Sequence, residues 1–190
     1  MAAAPNTSKL NELIRMLDDA VRADGDSPCC QSVKQALEQI VQSGDDFLEE
    51  HFLAPNPDRY ARRLVHKDPG GAYTVLAMVW APGQGTPLHD HAGKWCCECV
   101  YRGRIKVVQF ELETPIDAPV LTFKQMGTIY AGKGQAGALI PPYEYHSIEN
   151  DGDVPAVTIH VYSGELTWCH AFHPVEGGYR LEKRELSYSS

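Results

Sequence analysis

From Tyr60 to Tyr162 the chain is a succession of short β-branched and aromatic runs broken by Gly and Pro, with no long helical period among them. That texture constrains the fold more than any other feature. Strands are expected at Tyr60–His66, Ala72–Trp80, Lys94–Tyr101, Gly103–Glu111, Thr122–Tyr130, Ala138–Ile140, His146–Glu149 and Val157–Tyr162. Short strands at this spacing make an antiparallel sandwich or barrel. Before Pro55-Asn56-Pro57 the pattern is helical. Leu10, Leu13, Ile14, Leu17, Ala20 and Val21 recur at three and four positions between Thr7 and about Asp24, with Thr7 or Ser8 as N-cap. Val33, Ala36, Leu37, Ile40 and Val41 do the same from about Cys30 to Gln42, where Ser43-Gly44 stops the helix. A short third helix is expected over Asp45–His51. These apolar stripes serve packing against a larger body.

The 190 residues, 43% of them hydrophobic, suit one domain: a helical portion over about 7–52 and a barrel over about 58–176. With 25 acidic residues against 17 basic ones, the net charge of -8 repels nucleic acid and anionic membranes, leaving a small molecule as the expected partner. The N-terminal residues lack a charged and apolar leader pattern, and no apolar run of about 18 residues occurs, so a cytoplasmic protein is expected; a monomer is expected too, though no motif here speaks to oligomeric state. Six cysteines grouped as Cys29/Cys30, Cys96/Cys97/Cys99 and Cys169 form neither a secreted disulfide pattern nor a CxxC pair. Reduced thiols are the expectation, with Cys29 and Cys30 as buried packing residues.

The densest chemical signal is Pro87-Leu88-His89-Asp90-His91, because side chains two apart on an extended strand project from one face. Alone, an HxH is more often two satisfied histidines than a metal site. Here Gly83 and Gly103 bracket it at the corners, giving G-x5-H-x-H-x4-Cys96-x6-G. This resembles the first motif of the cupin superfamily, with Cys96 where a metal-binding glutamate usually stands. Pro141 to Asn150 resembles the second cupin motif, with its histidine at His146, its asparagine at Asn150, and Tyr143 in place of the motif glycine. The resemblance implies a mainly β, cupin-like double-stranded β-barrel (jelly roll) with the N-terminal α-helices packed on one side. Its metal ligands would be His89, His91 and His146. Three neutral imidazoles leave a dication's charge uncompensated, and a thiolate ligand answers that.

Cysteine in place of the motif carboxylate resembles the thiol dioxygenases, specifically the cysteine dioxygenase family. Tyr60-Ala61-Arg62-Arg63-Leu64 is similar to that family's Y-x-R-N-L segment, Val157 to Ser163 to its S-x-H-x-Y-S strand, and Cys169-His170-Ala171-Phe172 to its C-H-A-F. The resemblance implies ferrous iron, L-cysteine and dioxygen as substrates, and cysteine sulfinic acid as product. Arg62, helped by Tyr60, would hold the carboxylate. Tyr162 would lie beside the iron, His160 would hydrogen-bond it, and Cys96 would join it in a thioether. Arg62 could otherwise be a surface cation beside Arg63. On the strand itself, Thr158, His160 and Tyr162 share one face and Val157, Ile159 and Val161 the other, so the polar row lines a cavity or else faces solvent. Parity counted from His91 turns Cys96 away, and Gly93 is where a bulge would restore it.

Three readings compete: a 3-mercaptopropionate dioxygenase, whose family tends to glutamine at the Arg62 place; a non-catalytic metal-binding cupin; and a zinc hydrolase or isomerase on the same triad. No obvious general base stands beside the triad, Glu98 and Glu144 being the carboxylates left open. Trp80, Trp95 and Trp168 read as core or pocket wall, and His51, His66, His170 and His173 as surface or packing residues. The end after Gly177 reads as a mobile polar tail.

Overall fold

The computed structural model describes residues 7–44, 46–142 and 144–189. Three helices come first: α1 (Thr7–Ala20), α2 (Asp26–Gln42) and α3 (Glu50–Leu53). Thr7 and Ser8, expected as N-caps, already lie inside α1, and the residue before the helix is outside the described residues. Helix α2 begins four residues earlier than the apolar pattern predicts, because Pro28 fits a first turn that needs no N–H from it, and Gly25 (φ 87°) reverses the chain just before. Cys29 and Cys30 therefore lie inside the helix, buried. The third helix is shorter and later than expected, and Asp45, its predicted start, is outside the described residues. Phe47 and Leu48 are buried in irregular chain instead, and their amides donate to the Tyr101 hydroxyl (2.8 and 3.3 Å).

Eleven strands follow among the described residues: β1 (Ala61–Lys67), β2 (Thr74–Trp80), β3 (Leu88–His89), β4 (Cys96–Arg102), β5 (Arg104–Leu112), β6 (Phe123–Gly132), β7 (Ala136–Leu139), β8 (His146–Glu149), β9 (Ala156–Tyr162), β10 (Trp168–Val175) and β11 (Gly178–Glu185). They form two antiparallel sheets, β1-β2-β9-β4-β7 and β11-β10-β3-β8-β5-β6, the two walls of a double-stranded β-barrel. At the β4–β5 corner Gly103 (φ 76°) leaves no room for a side chain, since a Cβ there would stand 3.0 Å from Ala156 Cα.

The first sheet is buried on both faces. Val157, Ile159 and Val161 of β9 pack outward with Val33, Leu37 and Ile40 of α2, while Tyr162 packs inward with Leu76, Met78, Cys96 and Ile148. This is why β2 reads as an unbroken apolar run. It also decides the β9 alternation: the polar row Thr158, His160 and Tyr162 points into the barrel, not to solvent. The predicted mobile tail is corrected. Glu176-Gly177 turns β10 back into β11, whose inward Tyr179 and Leu181 pack beside Phe172, and the residues beyond stay attached. Leu186 N–H donates to Thr167 O (2.7 Å), Ser189 N–H to Arg62 O (2.7 Å), and Arg62 N–H to Ser189 Oγ (3.0 Å). The charged outward residues of β11 made an edge strand look like a tail, since edges carry charge to prevent further pairing. No helix among the described residues is long and apolar enough to cross a membrane.

Candidate metal centre

His89 and His146 are direct register partners on adjacent strands β3 and β8, so their rings meet at 4.4 Å between centroids. His91 arrives differently from the expected strand alternation. Strand β3 ends at His89, and the chain turns at once, with Lys94 N–H donating to His91 O (3.0 Å) and Ala92 (φ 53°) and Gly93 (φ 76°) both left-handed. Buried Asp90 fixes that turn: Oδ1 accepts the amides of Ala92 (3.1 Å) and His170 (2.8 Å), and Oδ2 lies 2.7 Å from His170 Nδ1. His170 is therefore the partner that holds Asp90, a role the sequence did not signal. His91 ends 5.0 Å from His146 and 5.3 Å from His89 by ring centroid, and one ring nitrogen of each of the three lies within 4.8 Å of the others.

The three rings fit a metal ion. A carbonyl only accepts, so His89 Nδ1 donates to Pro87 O (3.1 Å) and His146 Nδ1 to Glu144 O (3.0 Å), which leaves each Nε2 lone pair free. Nδ1 of His91 is buried with no hydrogen-bond partner among the described residues. Burial lowers the pKa of all three, with the neighbouring imidazoles adding to it for His91 and His146, so each is a neutral imidazole. Glu144 is buried two residues before His146, raised to about 7 by burial first and the Asp90 charge second. Tyr143 lies outside the described residues. Asn150 of the second motif is structural, its amide donating to Trp80 O (3.0 Å) and Val154 O (2.8 Å).

The turn at Ala92-Gly93, not a bulge, restores Cys96 to the inner face, where it stands directly across the ladder from Tyr162. Cys97 faces the helices. The Tyr162 ring meets His91 edge-on at 5.5 Å, and its hydroxyl lies 3.3 Å from His160 Nδ1, with Cys96 Sγ at 3.8 Å from the same nitrogen. On the other edge of the imidazole, Nε2 is 2.8 Å from Thr158 Oγ1, which accepts the Trp80 indole N–H (2.9 Å). Burial, aided by the Arg62 charge, lowers His160 to about 3, so it is neutral. Burial raises the Tyr162 hydroxyl and the Cys96 thiol well above their ordinary ranges.

Arg62 is not a surface cation. It is 6% exposed, projects from β1 into a cleft, and donates to Leu166 O (3.0 Å) and Ser187 O (3.3 Å). Two of the five guanidinium N–H groups are thus accounted for by backbone. The same cleft is lined by Tyr60, His89, Tyr162, Cys169 and Arg184, and Tyr60 is stacked on Trp80 at 4.8 Å. All eight residues singled out in the sequence thus surround one region. Arg184 was hidden in the supposed tail, while the Trp80–Thr158 link depends on pairing between β2 and β9 that no local pattern displays.

A double-stranded barrel with three inward imidazoles of this kind defines a cupin with a candidate three-histidine metal centre. The profile of the family described as cysteine dioxygenase type I matches residues 2–174, and the chain belongs to that family. Among its relatives, cysteine dioxygenase type 1 of Danio rerio is 25% identical over 175 residues, covering 92% of this chain and 84% of the relative. That of Rattus norvegicus is 27% identical over 164 residues, covering 86% and 78%. A solved protein with a double-stranded beta-helix domain from Klebsiella pneumoniae aligns with a TM-score of 0.49 and 16% identity, over 65% of this chain and 87% of that one.

Proposed function

We propose that His89, His91 and His146 hold a ferrous ion and that the chain oxidises the sulfur of L-cysteine with dioxygen to cysteine sulfinic acid. The observation that carries this reading is the neutral triad opening on a cleft with a buried arginine. Ferrous iron, when bound there, supplies the redox chemistry that lets dioxygen react with a thiolate. The protein's share is binding and alignment. Three uncharged ligands favour an anionic sulfur, and the Arg62 guanidinium, with donors beyond those given to Leu166 and Ser187, pairs with the substrate carboxylate as a planar fork. Tyr60 borders the same end. The Tyr162 hydroxyl orients the reacting groups, and His160 fixes the hydroxyl. Cys96 opposite Tyr162 supports a thioether, which would lower the mass of the protein by two hydrogens.

The test is anaerobic ferrous loading, then oxygen uptake and product mass with cysteine. One dioxygen consumed per thiol and a product heavier by two oxygens are expected. Metal retained without thiol-dependent oxygen uptake would leave only a metal-binding cupin, and zinc in protein purified without added metal would point to a hydrolase or isomerase. A buried Arg62, not glutamine, supports an α-amino acid over 3-mercaptopropionate, so uptake should be faster with cysteine.

A further inference from the structure

The barrel has a second opening, on the side away from Arg62. A solvent-open cavity of about 170 Å³ lies between β4, β5, β6 and β7, walled largely by apolar groups including Val100, Val107, Ile129 and Leu139. Its one charged lining residue among those described is Glu98. Glu98 sits on β4 directly across from His160, with its side chain 8% exposed, and Oε2 has no hydrogen-bond partner among the described residues. That oxygen is 3.6 Å from His160 Nδ1, the nitrogen 3.3 Å from the Tyr162 hydroxyl. Glu98 therefore stands between the reaction site and a separate route to water. A buried carboxyl here for packing alone is poorly explained, since an apolar residue would fill the wall without leaving an oxygen unpaired.

The proposed reaction must shed a proton. The S–H bond breaks with its electron pair left on sulfur, two S–O bonds form, sulfur loses four electrons and the two oxygens gain four. Thiol and dioxygen thus become sulfinate and one proton. The substrate cleft is a poor exit, because three arginines, Arg59, Arg62 and Arg184, against Glu185 alone, line it and its outer mouth, and net positive charge that draws a carboxylate in repels a proton. We propose that Glu98 is the acceptor through which this proton leaves, passing by Tyr162 and His160 Nδ1 to Oε2 and out through the lateral cavity. The inference rests on the thiol dioxygenase reading. Burial raises Glu98 to about 7, which suits a group that takes and releases a proton near neutrality. Facing it are His160 and Tyr162 from β9 and Cys96 from β4, with the Arg62 charge beyond and Cys99 next to it on the opposite face of β4. Gln109, Tyr130 and Gln135 line the cavity from β5, β6 and the turn before β7, and Glu38 of α2 lies outside the sheet.

Ferrous-loaded protein mixed anaerobically with cysteine, in weak buffer with a pH indicator, reads the step directly. Wild type should release one proton per site in a fast phase. In Glu98→Gln that phase should slow by at least about tenfold, and the acid limb of kcat near pH 7 should vanish, with metal content and cysteine affinity unchanged. Gly137→Leu supplies an independent variant. Gly137 pairs with Glu98 across β7, lines the cavity and has open space at its Cβ, so leucine would obstruct the route while keeping the carboxyl. It should slow release comparably, and it decides the matter if Glu98→Gln does not fold. Wild-type release rates in these variants, with the acid limb intact, would overturn the role of Glu98 while leaving cysteine oxidation standing. Failure of wild type to oxidise cysteine would instead overturn the reading beneath it.

Discussion

Removing one imidazole takes away a third of the triad's ligand set, and removing its hydrogen-bond anchor disturbs its aim. His146→Ala should lower iron retained after ferrous loading by at least about tenfold, read by elemental analysis, because His89 then faces an empty register position. Arg62 has two jobs, one toward the cleft and one toward the carbonyls of Leu166 and Ser187. Arg62→Gln should therefore raise KM for cysteine, with kcat/KM falling by about 10- to 100-fold for a lost charge-assisted pair, while kcat falls less. Equal kcat/KM for variant and wild type would remove Arg62 from the site. The HxH spacing pointed to two members of the histidine cluster, but for a reason the structure amends: His91 is delivered by a turn held by Asp90 and His170, not by continued strand alternation.

At the scale of elements, the segment from Gly178 onward is the plainest divergence between sequence and structure. Its polar residues alternate on the outer face of an edge strand, so composition alone resembles an unstructured end. Its hydrogen bonds to Arg62 and Thr167 are long-range and leave no local trace. Truncation after Val175 would strip β10 of one of its two partners and remove Arg184, Ser187 and Ser189 from around the cleft. The melting temperature should fall by more than about 5 °C, and KM for cysteine should rise. A dispensable tail would change neither. The helices were legible because an amphipathic stripe is a local property. The early start of α2 was not, although Cys29 and Cys30 continue the face four and three residues before Val33, because Pro28 reads locally as a break.

Across the whole molecule, an acidic chain of net charge -8 keeps a cationic cleft on one side of its barrel and a lone buried carboxyl behind the site on the other. That carboxyl has a stability signature. Glu98 is raised from 4.5 to about 7 on folding, so the folded state holds its proton where the unfolded chain has released it. Stability from this group is full below about pH 4.5 and declines as pH rises toward 7. In metal-free protein, the urea stability of Glu98→Gln relative to wild type should grow by about 3 kcal/mol at most between pH 4.5 and pH 8. A constant cost of the amide cancels from that comparison. No change across this range would mean that Glu98 is solvated in the folded state.

By itself the sequence determined the β texture, the two amphipathic helices and the motif histidines, because periodicity and short spacing are written in neighbouring residues. Only the tertiary structure decided that the polar face of β9 looks inward, that Cys96 meets Tyr162, and that Glu98 stands behind His160. Those outcomes depend on which strands pair and which face the helices cover. Pairing is set by contacts between segments dozens of residues apart, which no local pattern encodes.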